Sequence, residues 1–471
     1  MTKKIFKKIL SISLAIVLTA ALAACGSKTA AKDAAGDSAG AQSTAAQTAA
    51  APDDSSDRAD GSADENNSQA AAGTGQESSA ESVEIPETPY VREDGGVSID
   101  VFAMDTYMNL LAYGDHAEEA VVAAAEEIHR IDDMLSTGNP DSEISMLNAA
   151  GTGSVSEDTL RLIEESQTLY KETGGLFDIA IYPVMKLWGF PTQEYRVPAA
   201  EEIKTALKTA DPSKITIVGA AVPSQTAAAD RNTTAKTAEA AAEGSTGSGQ
   251  AAAQAAQAPA EASAAAAAAS EGTTAAAQAA EETPKTQVTF GLQGMEIDLG
   301  GIAKGFTSSR VMEVFKEHGV KHGLVSLGGN VQALGDKENG KPWRVAIQNP
   351  ESELDYLGVL DIEDKCVITS GGYERFFEKD GVRYHHIIDP RTGYPADSGI
   401  ISATIISKDG TLADGLSTSL FIMGKDQAEK YWRSNADKFD YILEDKDGKL
   451  YVTESAADLL TTEAETVIVK K

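Results

Sequence analysis

Two long stretches of small and polar residues limit how much of this 471-residue chain can form a folded core. Residues 26–88 are mostly Ala, Ser, Gly, Asp and Glu, and residues 220–285 are rich in Ala, Gln, Thr and Glu. Neither stretch has enough large apolar side chains to offset the conformational entropy lost on ordering. We therefore predict a disordered tether at 25–88 and a low-complexity insertion at 220–285, which leave about 320 residues for one or two cores.

The low-complexity insertion falls between two segments with ordinary globular composition. Because loop-closure entropy grows only slowly with length, we interpret it as a surface insertion within one folded domain that spans 89–456. A linker between two separate domains is the alternative. Residues 457–471 are predicted to form a C-terminal tail.

The N-terminus has the layout of a bacterial secretory signal. Four lysines within the first eight residues precede an apolar stretch at 9–24, which is too short to cross a bilayer of about 30 Å comfortably. The segment that ends in Ala24-Cys25-Gly26 resembles a lipoprotein cleavage box. We predict a signal peptide at 1–24, lipidation of Cys25 and an extracytoplasmic protein anchored by lipid to the cell membrane. An ordinary signal peptide with an incidental cysteine is the alternative.

The charge and the cysteines exclude several classes of protein. The formal net charge is −32, and no basic patch with interleaved aromatic residues is present, which argues against nucleic-acid binding. An acidic protein that binds a polyanionic cofactor must neutralise it locally, which favours a metal ion. Cys366 is the only cysteine besides Cys25. Its apolar surroundings predict a buried, unreactive thiol, and two cysteines provide no disulfide framework.

The folded part mixes helices with short strands. Residues 97–101 alternate as a strand does, and a helix at about 117–135 has Val121, Ala125, Ile128 and Ile131 on one face. The other predicted helices lie at about 158–173, ending at Gly174-Gly175, and at about 306–318, 414–423 and 426–436. Further strands are predicted at 324–327, 343–347 and 400–406. No repeat and no Rossmann-like series is present, so the predicted class is α+β.

Four glycine-containing clusters are candidates for chemistry: 298–305, 326–330, 385–393 and 413–418. Each alone also fits a tight turn or a helix cap. On a helix, Asp414 and Thr418 lie on one face and offer the oxygen donors that Mg²⁺ prefers. The turn at 300–305 would allow a backbone carbonyl to approach a ligand, and Lys304 would offer a charge to a pyrophosphate. His386 is a candidate general base. A turn histidine bonded to the backbone is the alternative.

Taken together, the clusters resemble the ApbE family of FAD:protein FMN transferases. Supporting segments occur in the family's order, at 104–106, 141–144 with Asn148, 174–178, 187–190 and 369–371. The resemblance covers about 98–220 and 286–456, and it implies a two-lobed, mixed α/β fold.

The resemblance also implies roles for individual residues. It implies that Asp414, Thr418 and the Ala303 carbonyl hold Mg²⁺, with Mn²⁺ as an alternative, and that His386 and Asp414 are catalytic. The residues that it implies for binding FAD are Met104, Gly175, Leu176, Phe177, Asp178, Gly300, Lys304, Phe306 and Ile388. The implied activity is transfer of FMN from FAD onto a Thr or Ser hydroxyl of a client protein, with release of AMP. The implied clients are extracytoplasmic proteins, such as the FMN-binding-domain subunits of Rnf- or Nqr-like redox complexes.

Two positions depart from the family pattern. Gly138-Asn139 stand where many members have a tyrosine that stacks on the flavin, so this stacking surface is absent or supplied elsewhere. Phe306 and Ser309 replace a tyrosine and an aspartate of the family motif. The first departure keeps hydrolysis of FAD to FMN and AMP as an alternative. A solute- or flavin-binding lipoprotein is an alternative of another class, for which no magnesium ligands would be needed.

Overall fold

The computed structural model describes residues 87–219 and 286–471. These residues belong to one compact unit. The predicted signal peptide, the lipidation site Cys25, the tether and the insertion lie outside the described residues. Within the part of the chain that the structure describes, no helix is long and apolar enough to span a membrane.

The described chain contains both helices and strands throughout its length. The helices are α1 (Ala117–Leu135), α2 (Glu143–Ala150), α3 (Glu157–Glu172), α4 (Tyr182–Trp188), α5 (Ala200–Ala206), α6 (Ala303–Glu317), α7 (Gly410–Met423), α8 (Lys425–Arg433) and α9 (Glu454–Ala457). The strands are β1 (Tyr90–Val91), β2 (Val97–Ala103), β3 (Thr106–Tyr113), β4 (Thr152–Ser154), β5 (Ile215–Val218), β6 (Gln287–Phe290), β7 (His322–Leu327), β8 (Asn330–Leu334), β9 (Trp343–Asn349), β10 (Ser352–Ile362), β11 (Cys366–Gly371), β12 (Phe376–Lys379), β13 (Val382–His385), β14 (Ile388–Asp389), β15 (Tyr394–Pro395), β16 (Ile400–Ser407), β17 (Phe439–Asp445), β18 (Leu450–Thr453), β19 (Leu460–Thr461) and β20 (Thr466–Val469). The predicted mixed α/β class is confirmed.

A ten-stranded sheet organises the fold. Its strand order is β1-β2-β3-β7-β8-β11-β16-β17-β18-β20. All neighbouring pairs are antiparallel except β18 and β20, which run parallel. The connection from β3 to β7 carries the six helices α1 to α6 and the segment 220–285 before the chain returns to pair beside β3. The sheet is therefore built from both halves of the sequence.

Both faces of the large sheet are covered, as the alternation of side chains along its strands shows. Leu110 packs in a core with α1 and α6, whereas its neighbour Leu111 packs in another core with Trp343 and Leu360 of the small sheet β19-β10-β9. Ile405 and Ile406 divide in the same way. Because successive side chains of a strand point to opposite faces, helices cover one face and the small sheet covers the other.

Local capping and the apolar face set the first helices where the sequence predicts them. All four residues of the predicted face of α1 are buried. Helix α3 begins after Ser156, whose side chain accepts a hydrogen bond from Thr159 N. It ends at Thr173, where Gly174 and Gly175 have φ of 68° and 90° and Gly175 N donates to Tyr170 O at 2.7 Å. This is the glycine C-cap that the sequence predicts.

Three boundaries differ from the sequence prediction. Helix α6 begins at Ala303 and α7 at Gly410, each several residues before the predicted start. Helix α7 begins early because Asp409 caps it by accepting from Leu412 N. The predicted C-terminal tail at 457–471 is corrected: it contains β19 and β20. Strand β20 pairs with β18 along the sheet edge, which satisfies backbone groups that a tail would leave in solvent.

Strand β11 contains the thiol that the sequence predicts to be inert. Cys366 is fully buried, and its Sγ lies 3.2 Å from Ser407 O on β16. Burial raises the pKa of Cys366 to about 12, so the reactive thiolate is not formed near neutral pH.

The strands on either side of the segment 220–285 pair with each other in antiparallel fashion. Val218 at the end of β5 pairs with Gln287 at the start of β6, and both strands belong to one small sheet with β4. The flanks therefore belong to one structural unit, which favours an insertion over a linker between domains.

We expect deletion of 222–283, closed by a short Gly/Ser linker, to leave folding and activity nearly unchanged. A short linker suffices because the flanking strands are already paired side by side. Thermal melting and turnover of the deleted and full-length proteins would test this. A large fall in melting temperature on deletion would show that the segment packs against the fold.

A buried carboxyl in β17 makes stability depend on pH. Glu444 is 3% exposed, and within the described residues its Oε2 has no hydrogen-bond partner. Burial, followed by the negative charges of Glu351 and Asp445, raises the pKa of Glu444 from 4.5 to about 7. Between these two pH values the unfolded chain releases the proton while the folded chain retains it. The contribution of Glu444 to the free energy of unfolding is therefore fully present below pH 4.5. It is lost as the pH rises to about 7.

We expect Glu444→Gln to raise the melting temperature at pH 8 by a few degrees, with a smaller difference from wild type at pH 4.5. The neutral amide removes the cost of burying a charge at high pH and changes little when the glutamate is already protonated. Glu463→Gln, at an exposed position, is the matched control. The same shift at both pH values would contradict the assignment.

Candidate active site

Asp414 is buried on the second turn of α7, where three elements meet. It is 5% exposed. Its Oδ2 accepts from Gly305 N on α6 at 2.8 Å, and its Oδ1 accepts from Asn330 Nδ2 on β8 at 3.1 Å. Burial raises the pKa of Asp414, opposed by the positive charge of Lys304 and by these hydrogen bonds. The carboxylate is therefore held in one orientation by donors from two other elements.

Helices α6 and α7 cross in contact because both have glycine at the crossing point. A Cβ added to Gly305 would lie 2.1 Å from Gly410 O and 2.6 Å from Asp414 Cβ. A Cβ added to Gly410 would lie 2.5 Å from Gly305 O. These distances are far below van der Waals contact, so only glycine allows the start of α6 to approach the helix that carries Asp414 and Thr418.

All three predicted metal ligands would bind through oxygen atoms, and they lie on the two touching helices α6 and α7. Thr418 lies one turn after Asp414 on α7, with its Oγ1 3.4 Å from Ser370 Oγ. Ala303 is the first residue of α6, and its carbonyl accepts from Thr307 Oγ1 at 2.8 Å. No group of three or more His, Cys, Asp or Glu side chains that could hold a metal occurs among the described residues. A donor set with one carboxylate suits Mg²⁺, which keeps waters or binds substrate phosphates at its other positions.

Met104 occupies a strained turn beside α6. The two-residue loop between β2 and β3 has positive φ at both Met104 (51°) and Asp105 (57°), although neither is glycine. Met104 N donates to Asp132 Oδ2 at 3.0 Å, and Thr307 Oγ1 lies 3.8 Å from Met104 Sδ. Left-handed backbone at non-glycine residues is uncommon and concentrates at functional sites, where the fold maintains it. The turn therefore fixes Met104 next to the start of α6.

Side-chain hydrogen bonds from α2 hold Ile297, the residue directly before the glycine-rich turn at 298–305. Asn148 on α2 donates to Ile297 O at 2.8 Å and accepts from Ile297 N at 2.7 Å, as a neighbouring strand would. Gly300 N donates to Asp298 Oδ1 at 2.8 Å. Asn148 is thus a positioning residue for the turn that leads to Ala303 and Lys304.

The loop from Gly175 to Asp178 is packed beneath the same turn. A Cβ added to Gly301 or to Gly415 would lie 3.4 Å from the Phe177 ring. Leu176 and Phe177 are each 4% exposed. Asp178 accepts from Ala180 N at 2.8 Å. Burial raises the pKa of Asp178 to about 7. The buried side chains shape the wall below the turn, and contact of this loop with FAD stays a prediction.

Other residues predicted to bind FAD have side chains that point into the core. Phe306 is 1% exposed, with the Arg161 guanidinium 5.7 Å from its ring centre, and Ile388 is buried in a cluster with Trp188. These two residues present mainly backbone to any ligand. Ser309, one of the departures, accepts from Gly410 N at 3.2 Å and so contacts the first turn of α7.

His386 has its tautomer set by the backbone. The backbone N–H of His386 donates to the carbonyl oxygen of Arg375 at 3.0 Å. The ring Nδ1 of His386 lies 3.2 Å from the same oxygen. A carbonyl oxygen only accepts, so Nδ1 carries the proton and Nε2 is left as the acceptor. Burial, followed by the positive charges of Arg375 and Lys304, lowers the pKa of His386 to about 3. The imidazole is therefore neutral near pH 7, as a proton acceptor must be.

An aromatic layer lies beside His386. The Phe190 ring centre is 6.4 Å from that of His386, and Phe377 stacks between Tyr195 and Tyr384 at 5.1 and 5.2 Å. Gly138, in contrast, is exposed, and an added Cβ there would meet only Ser136 Oγ at 3.7 Å. The loop at 138–139 thus offers no aromatic ring, whereas the segment next to His386 offers several.

Three side chains at the site had no role assigned from the sequence. Asn330 belongs to a glycine-containing cluster and Ser370 to a supporting segment, so both lie in motifs that the sequence does single out. Arg375 lies five residues after Ser370, outside every motif. Only the pairing of chain segments brings it next to His386.

The fold and the site together define a class of protein: an α/β protein with a candidate site that has a buried carboxylate, oxygen donors on two touching helices, cations and a neutral imidazole. The chain belongs to the ApbE family, whose model matches residues 104–258 and 244–443.

Proteins similar to this chain include flavin transferases from several bacteria. The FAD:protein FMN transferase of Klebsiella pneumoniae is 29% identical over 319 residues, which are 67% of this chain and 79% of that protein. The FAD:protein FMN transferase of Treponema pallidum is 29% identical over 340 residues, covering 69% and 77%. Among solved structures, the ApbE protein of Thermotoga maritima has a TM-score of 0.60 and 27% identity, covering 77% of this chain and 99% of that one.

Proposed function

We propose that this protein transfers FMN from FAD onto a Thr or Ser hydroxyl of a client protein and releases AMP. The observation that carries the proposal is the Asp414 carboxylate, which is buried and oriented by Gly305 and Asn330 beside Lys304. The family membership and the relatives named FAD:protein FMN transferase support the same activity.

Phosphoryl transfer leaves little covalent work to the enzyme, so positioning and charge neutralisation dominate. The client hydroxyl oxygen forms a bond to the phosphorus on the FMN side of FAD. The bond from that phosphorus to the bridging oxygen breaks, and AMP leaves with the bridging oxygen. Nε2 of His386 receives the hydroxyl proton. Because an anionic substrate would offset the charges of Arg375 and Lys304, we expect its binding to make His386 a stronger base than in the free protein.

Asp414, Thr418 and the Ala303 carbonyl would hold Mg²⁺, or alternatively Mn²⁺. A bound divalent ion would stabilise negative charge that develops on the phosphate oxygens. What supports this is the orientation of Asp414 and the close approach of α6, which begins at Ala303, to α7, which carries Asp414 and Thr418.

The cellular setting completes the proposal. A lipid on Cys25 would anchor the protein to the cell membrane, with the catalytic domain on the extracytoplasmic side. The clients would be extracytoplasmic proteins there, such as the FMN-binding-domain subunits of Rnf- or Nqr-like redox complexes.

Mass spectrometry of a candidate client domain tests the reaction directly. After incubation with the enzyme, FAD and Mg²⁺, we expect a mass increase equal to FMN minus water, together with one AMP per modified client. A client of unchanged mass with no AMP released would contradict the proposal. That is the result expected of a flavin-binding lipoprotein.

Hydrolysis of FAD to FMN and AMP is a second candidate, favoured by the exposed Gly138 and the missing ring at that loop. Water would then replace the client hydroxyl. Release of AMP at the same rate with and without client, while the client mass stays unchanged, would support hydrolysis over transfer.

A further inference from the structure

Arg375 stands apart from the other arginines of the described chain. Of the ten arginines in 87–219 and 286–471, the other nine lie within 4.0 Å of a carboxylate. Arg375 has no such partner among the described residues. An arginine that is not paired within the protein retains its full set of donors for a ligand.

The backbone of Arg375 is nevertheless fixed. Its carbonyl accepts from both the N–H and the Nδ1 of His386, at 3.0 and 3.2 Å. It directly precedes Phe376, which pairs with His385 in the hairpin of β12 and β13. The side chain therefore leaves the backbone from a defined position next to the candidate base.

The positive charges of Arg375 and Lys304 act on the same two groups of the candidate site. Both cations oppose the rise in the pKa of Asp298 that burial causes, and both lower the pKa of His386. Lys304 directly precedes Gly305, whose N–H donates to Asp414 Oδ2 at 2.8 Å. The candidate site thus has two cations, Lys304 at the start of α6 and Arg375 directly before β12.

We propose that the Arg375 guanidinium binds the pyrophosphate of the dinucleotide substrate opposite Lys304, while its carbonyl holds His386 with Nε2 facing that pyrophosphate. A planar guanidinium can contact two phosphate oxygens at once, which a lysine cannot do, so the pair combines orientation with charge. This inference rests on the proposed function, because it assumes that FAD is the dinucleotide.

The proposed contact between the Arg375 guanidinium and the pyrophosphate is tested by equilibrium binding of FAD and of riboflavin. Binding is measured by flavin fluorescence without added metal. Riboflavin has the same ring system but no phosphate. We expect Arg375→Gln to weaken FAD binding by roughly 10- to 100-fold, the range for a lost hydrogen bond to a charged group, and to leave riboflavin binding unchanged. Arg375→Lys should lose less, because it retains the charge but not the bidentate geometry.

Arg383→Gln is the matched control. Arg383 lies on β13, pairs with Glu378 at 3.2 Å and stacks over Phe376 at 4.0 Å, so its guanidinium is already engaged within the protein. Its loss should change neither FAD nor riboflavin binding. An equal loss of both ligands in Arg375→Gln, or no loss of either, would overturn the proposal.

The carbonyl contact is tested separately, since no side-chain substitution removes it. Nitrogen NMR shifts of histidine-labelled protein, assigned with His386→Asn, should show a protonated Nδ1 and an unprotonated Nε2 for His386. The opposite tautomer would overturn this half of the proposal. Wild-type protein that releases no AMP and modifies no client would refute the proposed function instead, so the two failures are distinguishable.

Discussion

Asp414→Asn is expected to abolish most of the activity at limiting Mg²⁺ while leaving the fold intact. We expect a loss of at least ~100-fold in AMP release, because even the hydrogen-bonding partners of metal ligands typically contribute 10–100-fold. The amide retains the shape of the carboxyl group and can still accept from Gly305 N. Asn330 can rotate its own amide to match the new group, so the melting temperature should change little.

Asp409→Asn is the control for this experiment. It removes the same charge from the same helix, and an asparagine still caps α7 through Leu412 N. AMP release as a function of Mg²⁺ concentration, for wild type and both variants, gives the comparison. Wild-type activity of Asp414→Asn at low Mg²⁺ would show that the carboxylate is not the charged ligand.

Gly305→Ala is expected to lower both stability and activity by forcing α6 and α7 apart. The new methyl group would lie 2.1 Å from Gly410 O, which is backbone and cannot rotate away. Overpacking of this kind costs about 1–3 kcal/mol, which corresponds to a fall of several degrees in melting temperature for a domain of this size. Activity should fall further than stability, because separation of the helices moves Ala303 away from Asp414 and Thr418.

Gly153→Ala provides the comparison for this change. At Gly153, an added Cβ has only Leu147 Cδ1 nearby, at an ordinary contact distance of 3.7 Å. This variant should melt and turn over as wild type does. Thermal melting and AMP release of the two variants would be measured in parallel, and an unaltered melting temperature of Gly305→Ala would show that the helices can separate without cost.

Local sequence signals predicted many elements of the fold correctly, because their causes are local. The apolar face of α1 and the Gly174-Gly175 cap of α3 depend on residues a few positions apart. Helix starts were less accurate where a cap lay outside the predicted motif. Asp409 was not recognised as the cap of α7, and Asp414 itself lies one turn into the helix.

The candidate site was predictable in its members but not in its geometry. The sequence predicted Asp414, Thr418 and Lys304 from residue type and spacing. It gave no indication that Gly305 and Asn330 hold the two oxygens of Asp414, because these contacts join residues 109 and 84 positions apart. Arg375 was missed for the same reason, since its link to His386 is a pairing of two chain segments around a hairpin.

The sequence by itself therefore determined which residue types are available for chemistry, where the main helices run and which segments lack the apolar side chains for a core. Periodicity, glycine position and composition are short-range properties, so they can be read from the sequence alone. Only the tertiary structure decided that residues 457–471 join the sheet, that α6 and α7 touch through two glycines, and that His386 presents Nε2. Each of these depends on contacts between distant parts of the chain, and burial and charge at those contacts set the pKa of Asp414, His386 and Glu444.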